Sequence, residues 1–101
     1  MKKEVTFKGK KAAALKYEPG DLAPKVVAHG AGWLADKIIK TAEEGGVHVH
    51  EDKELVEVLT QMNVGDAIPP ELYDVVAKIL VFIDGLDKQK GESRYAAHGG
   101  R

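Results

Sequence analysis

The chain has 101 residues, a formal net charge of -1, 44% hydrophobic and 31% charged residues, and no cysteine. Length and apolar content predict one compact domain with a well-solvated surface. The missing cysteines exclude disulfides, thiolate metal sites and a cysteine nucleophile. No apolar run approaches the roughly 20 residues that a membrane-spanning helix needs. No apolar signal core follows Met1-Lys2-Lys3-Glu4, so secretion is not expected and a cytoplasmic chain is. Contact with a membrane would then come only through a protein partner.

In chain order, residues 1–11 form a basic N-terminal arm with a short strand, Val5-Thr6-Phe7, inside it. Lys2, Lys3, Lys8, Lys10, Lys11 and Lys16 face a single acid, Glu4, in residues 1–16. A solvated arm explains this charge. No aromatic residues interleave to stack bases, so no nucleic acid is expected. Ala12-Ala13-Ala14-Leu15-Lys16-Tyr17 reads as a second strand, closed by the turn cluster Glu18-Pro19-Gly20-Asp21. Lys25-Val26-Val27-Ala28 is a third, opened by Pro24 and closed by Gly30. Val47-His48-Val49-His50 alternates with period two, placing the valines on one face and the histidines on the other.

Three segments read as helices. Over 32–44, Leu34, Ile38 and Ala42 stack at i, i+4 and i+8 with Ala35 and Ile39 alongside, and Gly45-Gly46 stops the run. Asp52 is placed to N-cap a short helix with Leu55, Val58 and Leu59 inward. The third runs from Pro69-Pro70 to about Gly85. Its apolar set is Leu72, Val75, Val76, Ile79, Leu80, Phe82 and Ile83, wide enough to predict burial on more than one side. The order β-β-β-α-β-α-α contains a βαβ step from 25–28 to 47–50, which predicts two parallel strands. The fold class is therefore α/β (α+β), a small mixed four-stranded sheet packed by three to four helices. The folded domain spans 12–86, and the polar, glycine-rich residues 87–101 read as a flexible tail.

Reactive chemistry is sparse. His48 and His50 share a strand face and are candidate metal ligands, with Glu51 or Asp52 nearby, but no third histidine is placed beside them by sequence. A polar pair on an edge strand is the simpler reading. His29 has no paired nucleophile. Gly30-Ala31-Gly32 before a helix resembles a phosphate turn, yet lacks the third glycine of the dinucleotide fingerprint and any Lys-Ser pair. A tight strand-to-helix turn accounts for it. Trp33 reads as a core or interface anchor. No enzyme and no cofactor are expected, and the weight shifts toward a binding module. The alternative is a small ligand- or metal-responsive regulatory domain built on the glycine turn or the histidine pair.

A longer pattern links these pieces. Ala14-Leu15-Lys16-Tyr17 is followed by Ala23-Pro24-Lys25-Val26-Val27-Ala28-His29-Gly30, then by Leu34, Ala35 and Ile38. After the 47–52 strand come Gly65-Asp66-Ala67-Ile68-Pro69-Pro70-Glu71-Leu72-Tyr73 and Val76-Ala77-Lys78-Ile79-Leu80-Val81-Phe82. In order and spacing this stretch resembles the cytoplasmic domain of the FlhB/YscU family of flagellar and type III export switch proteins. Family members carry an N-terminal membrane domain and an Asn-Pro-Thr-His loop that cuts itself by cyclisation of the asparagine. Counting back from Leu15-Lys16-Tyr17, that loop falls on Phe7-Lys8-Gly9-Lys10, where Phe7 has no carboxamide to cyclise, so self-cleavage is not expected. The resemblance implies a standalone cytoplasmic-domain paralogue, sited in the cytoplasm or peripherally at the inner-membrane export gate. Implied partners are export substrates and gate or membrane components of a type III system. It also implies a substrate-docking patch at Ala23, Pro24, Ala77 and Leu80.

Overall fold

In the computed structural model, β1 (Lys3–Lys8) and β2 (Lys11–Tyr17) form an antiparallel hairpin across Gly9-Lys10. Both strands run longer than the apolar residues alone suggest, because lysines flank them and their amides join the ladder. The Glu18–Asp21 turn, closed by the Asp21 amide donating to the Glu18 carbonyl at 3.0 Å, returns the chain to β3 (Lys25–Ala31). Residues 3–83 and residue 85 are described, and they divide between two compact units, Met1–Pro70 and Glu71–Arg101. The tail expected over 87–101 lies outside the described residues.

In the first unit, α1 (Trp33–Glu44) leads to β4 (His48–Glu51), and the sheet order is β3-β2-β1-β4. β3 is antiparallel to β2, while β4 is parallel to β1. β3 and β4 therefore point the same way from opposite edges. The βαβ step is present, but its helix crosses the full width of the sheet and delivers β4 to β1 instead of to β3.

Register decides which residues share a face, because side chains alternate along each strand. Thr6 pairs with Ala14 and Ala14 with Ala28, and Gly30 continues that face beneath Leu34 of α1. The opposite face carries Val5, Phe7, Ala13 and Leu15, all buried, with Val26 beside Leu15. α2 (Lys53–Leu59) belongs to this second face, where Lys11 reaches Glu57 at 3.4 Å and a methyl added to Gly9 would overlap Val56. Burying each large apolar side chain there is worth about 1.5–3 kcal/mol, and Phe7, Leu15 and Leu59 lead the core.

Two helical faces differ from expectation. Asp52 caps α2 as anticipated, its carboxylate accepting from the Leu55 amide at 2.9 Å. The buried set of α2 is Leu55, Val56 and Leu59, with Val58 turned outward. In so short a helix, Val56 lies on the Leu59 side (i, i+3) and above the hairpin turn, and that contact displaces Val58.

The second unit begins beside a 3-10 turn, Pro70–Leu72, which leads into α3 (73–83). The turn absorbs the prolines, so the regular helix starts later than Pro69-Pro70 suggested. Its buried residues are Val76, Leu80 and Ile83, spaced i, i+4 and i+7. Val75 and Phe82 are exposed, so the stripe is narrower than the apolar composition implied. Among the described residues, no helix is long and apolar enough to cross a membrane.

Candidate functional site

The hairpin end at Phe7-Lys8-Gly9-Lys10 is held from several sides. Phe7 is fully buried in β1, opposite Ala13. The Lys8 carbonyl accepts from the Asp52 amide at 2.9 Å, and the Gly9 amide donates to the Lys11 carbonyl at 2.9 Å. Gly9 lies against Lys53 and Val56, where any larger residue would need the helix to shift. Phe7, expected from the resemblance to stand at the loop's asparagine, is therefore a core aromatic in a paired strand.

The four docking-patch residues divide between the units. Ala23 is buried and Pro24 half-buried in the first, with the Pro24 carbonyl accepting from the Ile68 amide at 2.9 Å. Ala77 is exposed and Leu80 buried on α3 in the second, three residues apart on adjacent turns. Leu22, beside Ala23, is 99% exposed, an unusual degree for leucine. Sequence reading passed over it because one leucine in a turn carries no periodic signal.

The histidine pair sits on edge strand β4 with both rings on one face, as the alternation required. Their ring centroids are 6.4 Å apart, and His50 meets the Phe7 ring edge-on at 5.7 Å. This face belongs to the Val5–Phe7 side of the sheet, so both imidazoles are half-buried and not on the open surface. Among the described residues, no group of three or more metal-ligating side chains forms. His29 lies in β3 opposite Ala13, level in register with His50 but separated from it by β2 and β1, which keeps it from the pair.

The glycine turn has a packing explanation. A methyl on Gly30 would come within 2.5 Å of Leu34 Cδ2, so only glycine lets α1 approach the strand this closely. Gly32 caps α1 with φ 60, a left-handed value that glycine adopts without strain. Trp33, expected as an anchor, is 75% exposed and so is no core residue. Small residues on the α1 face leave a cleft of about 470 Å³ between helix and sheet, floored by Ala14 and Ala28 and walled by Val27, Leu34 and Ile38. Lys16, near its end, has its ammonium pKa raised by a hydrogen bond and charge attraction from Glu18 at 2.7 Å. That pair is solvent-exposed and worth little.

Fold and site together define a small mixed α/β domain whose distinctive surface features are apolar side chains and strand edges, without a reactive constellation among the described residues. The chain belongs to the FlhB HrpN YscU SpaS family, whose model matches residues 10–83. It is 49% identical over 80 residues to the protein YlqH of Bacillus subtilis (strain 168), covering 78% of this chain and 86% of that protein. It is 42% identical over 74 residues to the flagellar biosynthetic protein FlhB of Aquifex aeolicus (strain VF5), covering 71% of this chain and 21% of that protein. The chain thus spans most of YlqH and about a fifth of FlhB. Among solved structures, the cytoplasmic domain of FlhB from Shewanella putrefaciens superposes with a TM-score of 0.79 at 28% identity, covering 86% of this chain and 74% of that one. A proline-to-alanine mutant of the EscU C-terminal domain superposes with a TM-score of 0.72 at 31% identity, covering 78% of this chain and 81% of that one.

Proposed function

We propose that the chain is a non-enzymatic adaptor of the flagellar or type III export apparatus, docking export substrates or gate proteins in place of a processed switch domain. Membership of the family supports a role in that apparatus. The finer reading is supported by the family match over 10–83 together with Phe7 at the position where counting back from Leu15-Lys16-Tyr17 puts the asparagine of the self-cleaving loop. A domain that keeps the fold but lacks the carboxamide offers the switch surface without the switch reaction. It acts in the cytoplasm, meeting the inner-membrane gate through proteins. Its docking patch is Ala23, Pro24, Ala77 and Leu80, of which the half-buried Pro24 and the exposed Ala77 are open to an extended peptide while Ala23 and Leu80 are buried. The Pro24 ring donates no hydrogen bond and holds the backbone rigid.

The test is capture. The full chain, immobilised, is exposed to cytosol and detergent-solubilised membranes of its host, and retained proteins are identified by mass spectrometry. Enrichment of export-gate proteins or export substrates is the expected result. Their absence, with the chain shown folded by circular dichroism, overturns the reading.

A further inference from the structure

We propose that the outer edge of β3 over residues 27–31 receives an extended peptide segment of a partner as an added strand. The inference deepens the docking role above, and rests on it only for the partner's biological identity.

The sheet has two edges, and they are not alike. β4 is four residues long and ends on the charged Glu51. β3 is seven residues long, and its two halves are treated differently. Along the first half, the segment 63–68 already adds to the edge from within the chain. The Val26 amide donates to the Asp66 carbonyl at 2.9 Å, the Gly65 amide to the Val26 carbonyl at 2.7 Å, and the Ile68 amide to the Pro24 carbonyl at 2.9 Å. Ala67 pairs with Lys25 in antiparallel sense. The edge therefore accepts an antiparallel segment, and this chain supplies one for half of its length.

That segment turns away at Gly65, where φ is 98, and the strand continues without it. Over 27–31, among the described residues, no backbone hydrogen bond from outside the sheet reaches β3. Proteins ordinarily blunt an open edge with lysine, proline or an inward charge. Here Pro24 and Lys25 stand in the half that is already covered. The open half reads Val27-Ala28-His29-Gly30-Ala31, with no charged residue and no proline. Beside it stand apolar side chains in water: Val27 at 45%, Leu34 at 38% and Trp33 at 75% exposure. Val27 and Leu34 also wall the cleft under α1. An added strand would satisfy main-chain groups along β3 and lay alternate side chains toward that cleft, so the occupant is an extended segment with apolar residues at every second position.

The probe is a capped peptide of alternating threonine and valine, seven residues long, titrated into the isotope-labelled full chain. Amide hydrogen exchange and chemical shifts are read by NMR. Expected is a tenfold or greater slowing of exchange at outward amides within 27–31, with β4 amides unchanged. The double variant Val27→Lys, Ala31→Lys places gatekeeper charges at two exposed positions. It should weaken peptide binding at least tenfold and leave the unfolding midpoint unchanged. Protection confined to β4, no protection at saturating peptide, or protection that rises with the chain's own concentration without peptide each overturns the proposal, the last by making a second copy the occupant. Capture by the double variant separates the two readings. Peptide binding without capture of export proteins leaves the edge site standing and the export role refuted. Export proteins still held by the double variant locate that docking away from β3.

Discussion

Phe7, which the family resemblance aligns with the asparagine of the self-cleaving loop, is fully buried, so it has a structural role whatever its chemistry. Its ring fills the face of the sheet beneath α2 and touches His50 edge-on. Truncating Phe7→Ala should cost about 3–5 kcal/mol by urea denaturation, the range for deleting a buried aromatic. Left intact, the chain should remain a single uncut polypeptide after prolonged incubation at mildly alkaline pH. Mass spectrometry settles it, and a fragment beginning at Lys8 would sink the idea. Asp52 offers a second residue-scale test. Its carboxylate takes the Leu55 amide at the start of α2, so Asp52→Ala should lower stability by about 1 kcal/mol without altering the fold.

At the scale of elements, α1 and α3 each expose apolar residues that helical periodicity alone would bury. α1 buries only Ala35 and Ala42 fully, and leans on Gly30 for its closest approach to the sheet. Gly30→Ala forces Leu34 aside, and should cost about 1–3 kcal/mol as an overpacking change. A melt indistinguishable from wild type would show that the half-exposed Leu34 side chain simply swings away. On α3, Ala77 is exposed while Leu80 is buried, so the two halves of that pair make opposite predictions. Ala77→Asp should stay within about 0.5 kcal/mol of wild-type stability. It should still abolish capture of export proteins, because the carboxylate would be desolvated in an apolar contact without compensation. Binding retained by a folded Ala77→Asp protein would remove Ala77 from the docking surface.

For the whole molecule, the competing reading as a ligand-responsive regulator is separable in one experiment. A ligand that binds the folded state, at one hundred times its dissociation constant, adds about 2.7 kcal/mol to stability. Titration with zinc and with nucleoside triphosphates is expected to leave the unfolding midpoint unmoved. A shift with zinc that His48→Gln removes would instead favour a regulatory role for the β4 pair.

What the sequence by itself determined follows from local rules. Period-two alternation put both β4 histidines on one face, the Asp52 cap and the Gly45-Gly46 stop bounded their helices, and Pro24 marked the entry to β3. The ordered motifs from Ala14 to Phe82 carried the family. What only the tertiary structure decided involves partners distant in the chain. β4 landed on β1 because α1 spans the sheet, and Val56 replaced Val58 in the core because the hairpin turn lies above it. Trp33, Val75 and Phe82 stayed in water, since hydrophobicity measures the gain from burial and not whether a neighbour is present to bury against. The covered and open halves of β3 were likewise invisible, because the covering segment is about forty residues away in sequence and pairs through backbone groups that every residue carries.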